Sequence, residues 1–476
     1  MIRNERQYKI TKAQLEDFDR KLQTLSTAAV PGVHPRIVIA QRDAIQSQVE
    51  DLREELRAYE GLQTAGTKVL ELTSLEQIPV ALIQARIAAG LTQRELAMRL
   101  GMKEQQLQRY EATNYAGASL DRIMSIFTAL GVRVREDVFL PGTDVSLARV
   151  LSRAQSAGLS KTLVKKRIVP SGGAEGADES DALGTASLLN RIFGWTPAVL
   201  FGEAPLFAGG AALAGARFKL PQSSSSRTTE AYATYAHYVA GLLLRATPTL
   251  PSRTIPTDAR TVREALLTSG GDLDFATVLS YVWNLGVAVL PLADTGAFHG
   301  ATWRIDGRNV IVLKQGARLE SRWAHDALHE LRHAGEEAED KDLSFIDYEK
   351  LSKENAHSAA EQTAAMFAGD VMLDGRAEAL VEICANEAGN SVERLKTVVP
   401  RVAEREGVSV AALANYMAFR LSLQGVSWWG AATNLQAGGV DPWQTTRDQA
   451  LSHLDLTSLD DAERGVLLRA LEGDSA

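Results

Sequence analysis

Apolar residues recur at three- and four-residue spacing over most of this 476-residue chain, which predicts a mainly helical protein. Leu15, Phe18, Leu22 and Leu25 form one apolar stripe, with a capping-box start expected near Thr11–Glu16. A second, charge-interleaved helix is expected from roughly Ile37 to Leu62. Short helices follow at Val80–Ala89, Gln93–Leu100, Glu104–Glu111 and Leu120–Leu130, with Thr92 and Ser119 as caps and Gly90 and Gly101 as stops. The pattern changes at Val287–Leu290, Ala301–Ile305 and Val310–Lys314, which predict three strands, with Asp306-Gly307 as a turn. From about Asn355 the chain reads as helix again. The expected fold class is α+β: mainly α with a small β-sheet.

These elements suggest five regions. Residues 1–76 form a helical region suited to dimerisation, and 77–140 a helix-turn-helix. Residues 141–227 read as a helical connector, with a flexible linker at 170–184 in the acid- and glycine-rich PSGGAEGADESDALG. Residues 228–376 hold the strands and the helices that follow them, and 377–476 a C-terminal helical region.

Composition narrows the chemistry. Hydrophobic content of 45% and charged content of 23% are those of a globular protein. A net charge of −8 excludes a general polyanion binder, so any nucleic-acid contact must be local. Cys384 is the only cysteine, which excludes an internal disulfide and a cysteine-cluster zinc site. No apolar run is long enough to span a bilayer, and a cytoplasmic, membrane-free protein is expected.

His329-Glu330-Leu331-Arg332-His333 carries the strongest chemical signal. Four residues bring both imidazoles to one side of a helix, where they can share a cation. Glu330 can deprotonate a metal-bound water. Two histidines and a water leave zinc a ligand short, and Glu361, beside the apolar face of Ala360, Ala364, Phe367, Ala368 and Val371, is the best candidate. His325 lies about 12 Å from His333 along a straight helix, too far to share the ion. His357 is a candidate proton donor or a surface residue.

The stretches VIVLK, HDALHELRHA and EQTAAMFA, taken in that order, resemble the ImmA/IrrE family of metallopeptidases across roughly residues 228–376. The resemblance implies a zincin-like domain holding one Zn2+ through His329, His333 and Glu361, with Glu330 as general base. It further implies a repressor-type protein as substrate. The chain departs from the family at Arg332, where glycine is usual, and at Ala365, where asparagine is usual; neither position is a ligand.

The stretch AGLTQRELAMRLGMKEQQLQRYEA resembles the lambda-repressor/Cro, or XRE, helix-turn-helix. That likeness places Lys103, Glu104, Gln105, Gln106, Gln108 and Arg109 on or beside a recognition helix, where Gln and Arg can read base edges. Gln93 is expected to touch a phosphate. Residues 1 to about 140 also resemble HigA-like antitoxin regulators. Double-stranded operator DNA is the expected partner, bound by a homodimer. Three functions remain open: a DNA-binding zinc endopeptidase, a non-proteolytic regulator with a zinc-stabilised sensor domain, and an antitoxin.

Overall fold

The computed structural model describes residues 1–24, 35–64, 70, 72, 75–134, 139–170, 178–208, 224–268, 273–294, 298–348, 359–436 and 439–473. They fall into two compact units, Met1–Val138 and Phe139–Ala476.

The first unit is helical. Helices α1 (Glu5–Thr24) and α2 (Pro35–Gln63) form an antiparallel hairpin. Four short helices follow: α3 (Ile78–Ala88), α4 (Gln93–Arg99), α5 (Glu104–Ala112) and α6 (Leu120–Leu130). Pro79 sits in the first turn of α3, where its missing N–H costs nothing. Thr92 and Glu95 close a reciprocal capping box on α4, and Ser119 accepts from the Arg122 N–H at the start of α6. Gly101 takes φ +65° between α4 and α5, a left-handed turn that favours glycine. Leu82, Ile83, Leu96, Leu107 and Ile126 make a core that the hairpin joins through Ile2, Leu56 and Tyr59. The capping-box start expected near Thr11 is incorrect. Helix α1 begins at Glu5 and Thr11 is a buried interior residue, because the Asn4 side chain accepts the Gln7 N–H and caps the helix there. Leu25 lies outside the described residues.

The second unit opens with α7 (Leu147–Ser156), α8 (Asp178–Phe193) and α9 (Ser224–Arg245), then α10 (Ala259–Thr268) and α11 (Phe275–Asn284). A four-stranded mixed sheet follows, in the order β1 (Ala288–Pro291), β3 (Arg308–Leu313), β2 (Phe298–Ile305), β4 (Leu343–Tyr348). β1 runs parallel to β3, whereas β2 is antiparallel to both its neighbours. The β2–β3 turn has φ +51° at Asp306 and +78° at Gly307, the double left-handed geometry that Asp-Gly supports. β4 is a strand absent from the three expected. Its short LSFI core follows a charged EDKD stretch, and it is fixed by pairing, with Ser344 opposite Trp303 and accepting the Trp303 indole N–H.

Helix α12 (Glu320–Ala334) lies on β2 and β3, and α13 (Ala359–Met372) packs along α12. The helices α14 (Ala377–Ala388), α15 (Leu395–Glu406) and α16 (Val410–Leu423) build a separate small core around Leu380, Val399, Leu413 and Tyr416. The last two, α17 (Pro442–Ser452) and α18 (Asp461–Ala470), return to the main core.

The flexible linker expected at 170–184 is corrected in part. Residues 178–184 are the start of α8, and Ala182, Ala186 and Leu189 are buried in the core that also contains Val150, Tyr235 and Leu328. Acidic residues suit a helix N-terminus, so DESDA, which reads as a solvated loop, can begin a packed helix. Residues 171–177 lie outside the described residues. Because 139–170 shares a core with the sheet, a chain cut once between Pro170 and Asp178 should still elute as one particle in size-exclusion chromatography. Elution as two separate pieces would contradict the shared core.

Candidate metal centre and DNA-binding module

Helix α12 carries His329 and His333 one turn apart, and α13 contributes Glu361 from its first turn. The two imidazole Nε2 atoms are 3.2 Å apart. Glu361 Oε2 is 3.2 Å from His329 Nε2, and its Oε1 is 3.4 Å from His333 Nε2. All three ligand atoms therefore converge within 4.8 Å. His333 is buried, its ring stacked on Phe345 of β4 at 4.5 Å between centroids, and its Nδ1 lies 3.7 Å from Glu336 Oε1. That leaves Nε2 aimed at the cluster with a carboxylate behind the ring, the usual support of a metal-ligating histidine.

The electrostatics suit a cation. Burial would lower the pKa of His333, but the nearby carboxylates of Glu336, Glu361 and Glu330 outweigh it, raising it to about 10. His329 is likewise raised, with burial opposed by the hydrogen bond and charge of Glu361. Burial would raise Glu361, yet both imidazoles hold it well below the carboxylate range. Without metal the cluster must hold protons; two nitrogens and a carboxylate match a zinc-type donor set.

Glu330 points to β2. Its carboxylate is buried, and Oε2 lies 2.6 Å from the Thr302 hydroxyl. Burial raises its pKa, opposed by the charges of His329 and His333. Gly300 supports the same side chain by having none: a Cβ there would collide with the Glu330 carboxylate. Arg304, two residues beyond Thr302, is buried and donates to the carbonyls of Ala334 at 2.7 Å and Glu336 at 3.0 Å. It thereby satisfies the C-terminal end of α12. Gly300, Thr302 and Arg304 were not anticipated as site residues; the period-two spacing that puts them on one face of β2 was the available signal.

Arg332 pairs with Glu336, just past the end of α12, at 3.2 Å, and Ala365 is buried in α13. His325 stacks near His329 and Phe419, outside the three-ligand cluster. His357 lies outside the described residues.

In the first unit, Arg86 and Glu111 form a buried ion pair at 2.6 Å. Arg86 also donates to the carbonyls of Leu91 and Arg3, and Gln93 donates to Glu111 at 2.8 Å. The Gln93 amide, expected on a phosphate, is thus engaged inside the module and only half exposed. Lys103, Glu104, Gln105, Gln108 and Arg109 are exposed, while Gln106 is half-buried. Gln108 donates to Glu104 at 3.0 Å, and Gln105 and Arg109 stand one turn apart on α5.

A helix-turn-helix family model, HTH_3, matches residues 82–136. This stretch is an XRE-type helix-turn-helix domain. No curated protein and no solved structure matches the chain. Among the described residues, no helix is long and apolar enough to cross a membrane.

Three expectations follow. Glu111→Ala, which strands a buried guanidinium, should destabilise the first unit by about 3–5 kcal/mol in urea denaturation; a loss below about 1 kcal/mol would show the pair to be dispensable. Purified protein should bind one zinc, and Glu361→Ala should lose most of it while His325→Ala keeps it, as read by elemental analysis. Zinc must displace protons from His329 and His333, so affinity should rise with pH through neutrality until these groups lose their protons unaided, for His333 near pH 10. A pH-independent affinity would point to other ligands.

Proposed function

We propose that this chain is a DNA-binding zinc peptidase of the ImmA/IrrE type that acts as a transcription regulator by cutting a repressor-type protein. The observation that carries this reading is the buried Glu330 carboxylate, held by Thr302 beside the converging His329, His333 and Glu361. A purely structural metal centre has no need of a second, separately positioned carboxylate. Bound zinc would supply Lewis acidity and a more acidic water. Glu330 accepts the proton of the attacking water and returns one to the departing amine, and its raised pKa suits both transfers. Thr302 fixes the carboxylate, and Gly300 leaves room for it.

In this reading the helix-turn-helix binds the chain to an operator. Gln105 and Arg109 read base edges in the major groove, with Lys103 and Glu104 flanking them. Gln93 supports the module through Glu111 and is the residue of the set least free to reach DNA. One such module buries little surface, so a homodimer on paired half-sites is the form we assign to the bound state.

The test is Glu330→Gln. The variant should keep its zinc and its operator affinity, measured by gel shift, while proteolysis of the repressor falls at least a thousandfold. Wild-type protein that binds zinc but cuts nothing would favour a non-proteolytic regulator or antitoxin. Separately, Arg109→Ala should lower operator affinity and relax sequence preference at one base pair.

A further inference from the structure

An open cleft of about 1100 Å³ separates the start of α1 from the helix-turn-helix. Arg3, Arg6 and Lys9 line one side, and Gln93, Arg94 and Glu104 the other. We infer that the first two turns of α1 form a second phosphate-binding strip for duplex DNA, with Arg6 and Lys9 contacting the backbone beside the helix-turn-helix.

This rests on the DNA-binding reading above and extends it to a part of the chain outside the matched 82–136. In helix-turn-helix docking, the N-terminal residues of the recognition helix meet base edges while the preceding helix crosses the backbone. Residues that share a cleft with the first turns of both α4 and α5 therefore lie beside a phosphodiester strand.

The strip is held in place by buried chemistry. Ile2 is part of the module's core, Arg86 donates to the Arg3 carbonyl at 2.6 Å, and the Arg3 guanidinium donates to the carbonyl of Glu111 at the end of α5. The same Arg86 that orders the recognition helix thus orders the start of α1. Arg6, Lys9 and Arg94 are all exposed. Among the described residues, the acidic groups lining the cleft are Glu5 and Glu104. Glu5 pairs with Lys9 at 2.8 Å, but both side chains are more than 70% exposed, so a phosphate can replace that partner at little cost. Glu104 is occupied by the Gln108 amide. In a chain of net charge −8, this is a local basic surface placed where a polyanion would pass.

The experiment uses full-length protein and two duplexes of equal length, the region upstream of its own coding sequence and a scrambled version. The double variant Arg6→Ala/Lys9→Ala should weaken binding to both duplexes by the same factor, about tenfold or more at moderate salt. The slope of log K against log salt should fall by about two, one for each lost phosphate contact. Arg109→Ala should instead narrow the gap between the two duplexes. If Arg109→Ala behaves so and the double variant changes neither affinity nor salt slope, the strip is overturned and the DNA reading stands. If wild-type protein binds neither duplex, the DNA reading fails and the strip with it.

Discussion

The seating of helix α12 on strand β2 is the constraint from which the rest of the second unit follows. Gly300, Thr302 and Arg304 occupy alternate positions of β2 and each serves that helix differently. Gly300 removes a side chain to admit Glu330, Thr302 binds its carboxylate, and Arg304 satisfies the carbonyls at the helix end. Buried polar groups are costly unless satisfied, and a helix carrying Glu330 and His333 into a core must find partners in its support. β2 provides them, and the other face of the strand, with Ala301 and Trp303, remains apolar and buried.

The metal cluster follows the same logic on the adjoining face of α12. Glu361 could not sit half-buried beside Ala364 and Ala368 without a positive partner, and His329 and His333 could not face each other without a proton or a cation between them. The three groups solve one another's problem only if α13 packs along α12 in the observed register. The first unit repeats the logic with different residues. Arg86 and Glu111 neutralise each other in a core otherwise made of Leu, Ile, Ala and Tyr, and the Arg3 carbonyl and guanidinium, the Leu91 carbonyl and the Gln93 amide tie the residues before α1 to α3, α4 and α5.

Division of the chain follows cores rather than composition. Residues on either side of the glycine-rich stretch at 171–177 share one hydrophobic core, to which α17 and α18 return from the far end of the sequence. The intervening α14–α16 keep a core of their own. Composition marks where backbone is cheap to solvate; it does not mark where packing stops.

The sequence alone determined the features set by local periodicity and spacing. These include the bounds of α6, the cap of α4, the Asp-Gly turn, three of the four strands, and the pairing of His329 with His333 at one helical turn. Each depends on residues within a few positions of one another, where helix or strand geometry leaves little freedom. Glu361 was also legible, because a lone acid on an apolar helix face demands a partner. Tertiary structure alone decided what depends on contacts distant in sequence. β4 exists because β2 offers it an edge, Gly300 and Thr302 matter because α12 lands on them, and Gln93 turns inward because Glu111 lies across the turn. It also decided that α8 is a packed helix, since burial of Ala182 and Leu189 is supplied by elements dozens of residues away, and no local pattern records which surfaces will meet.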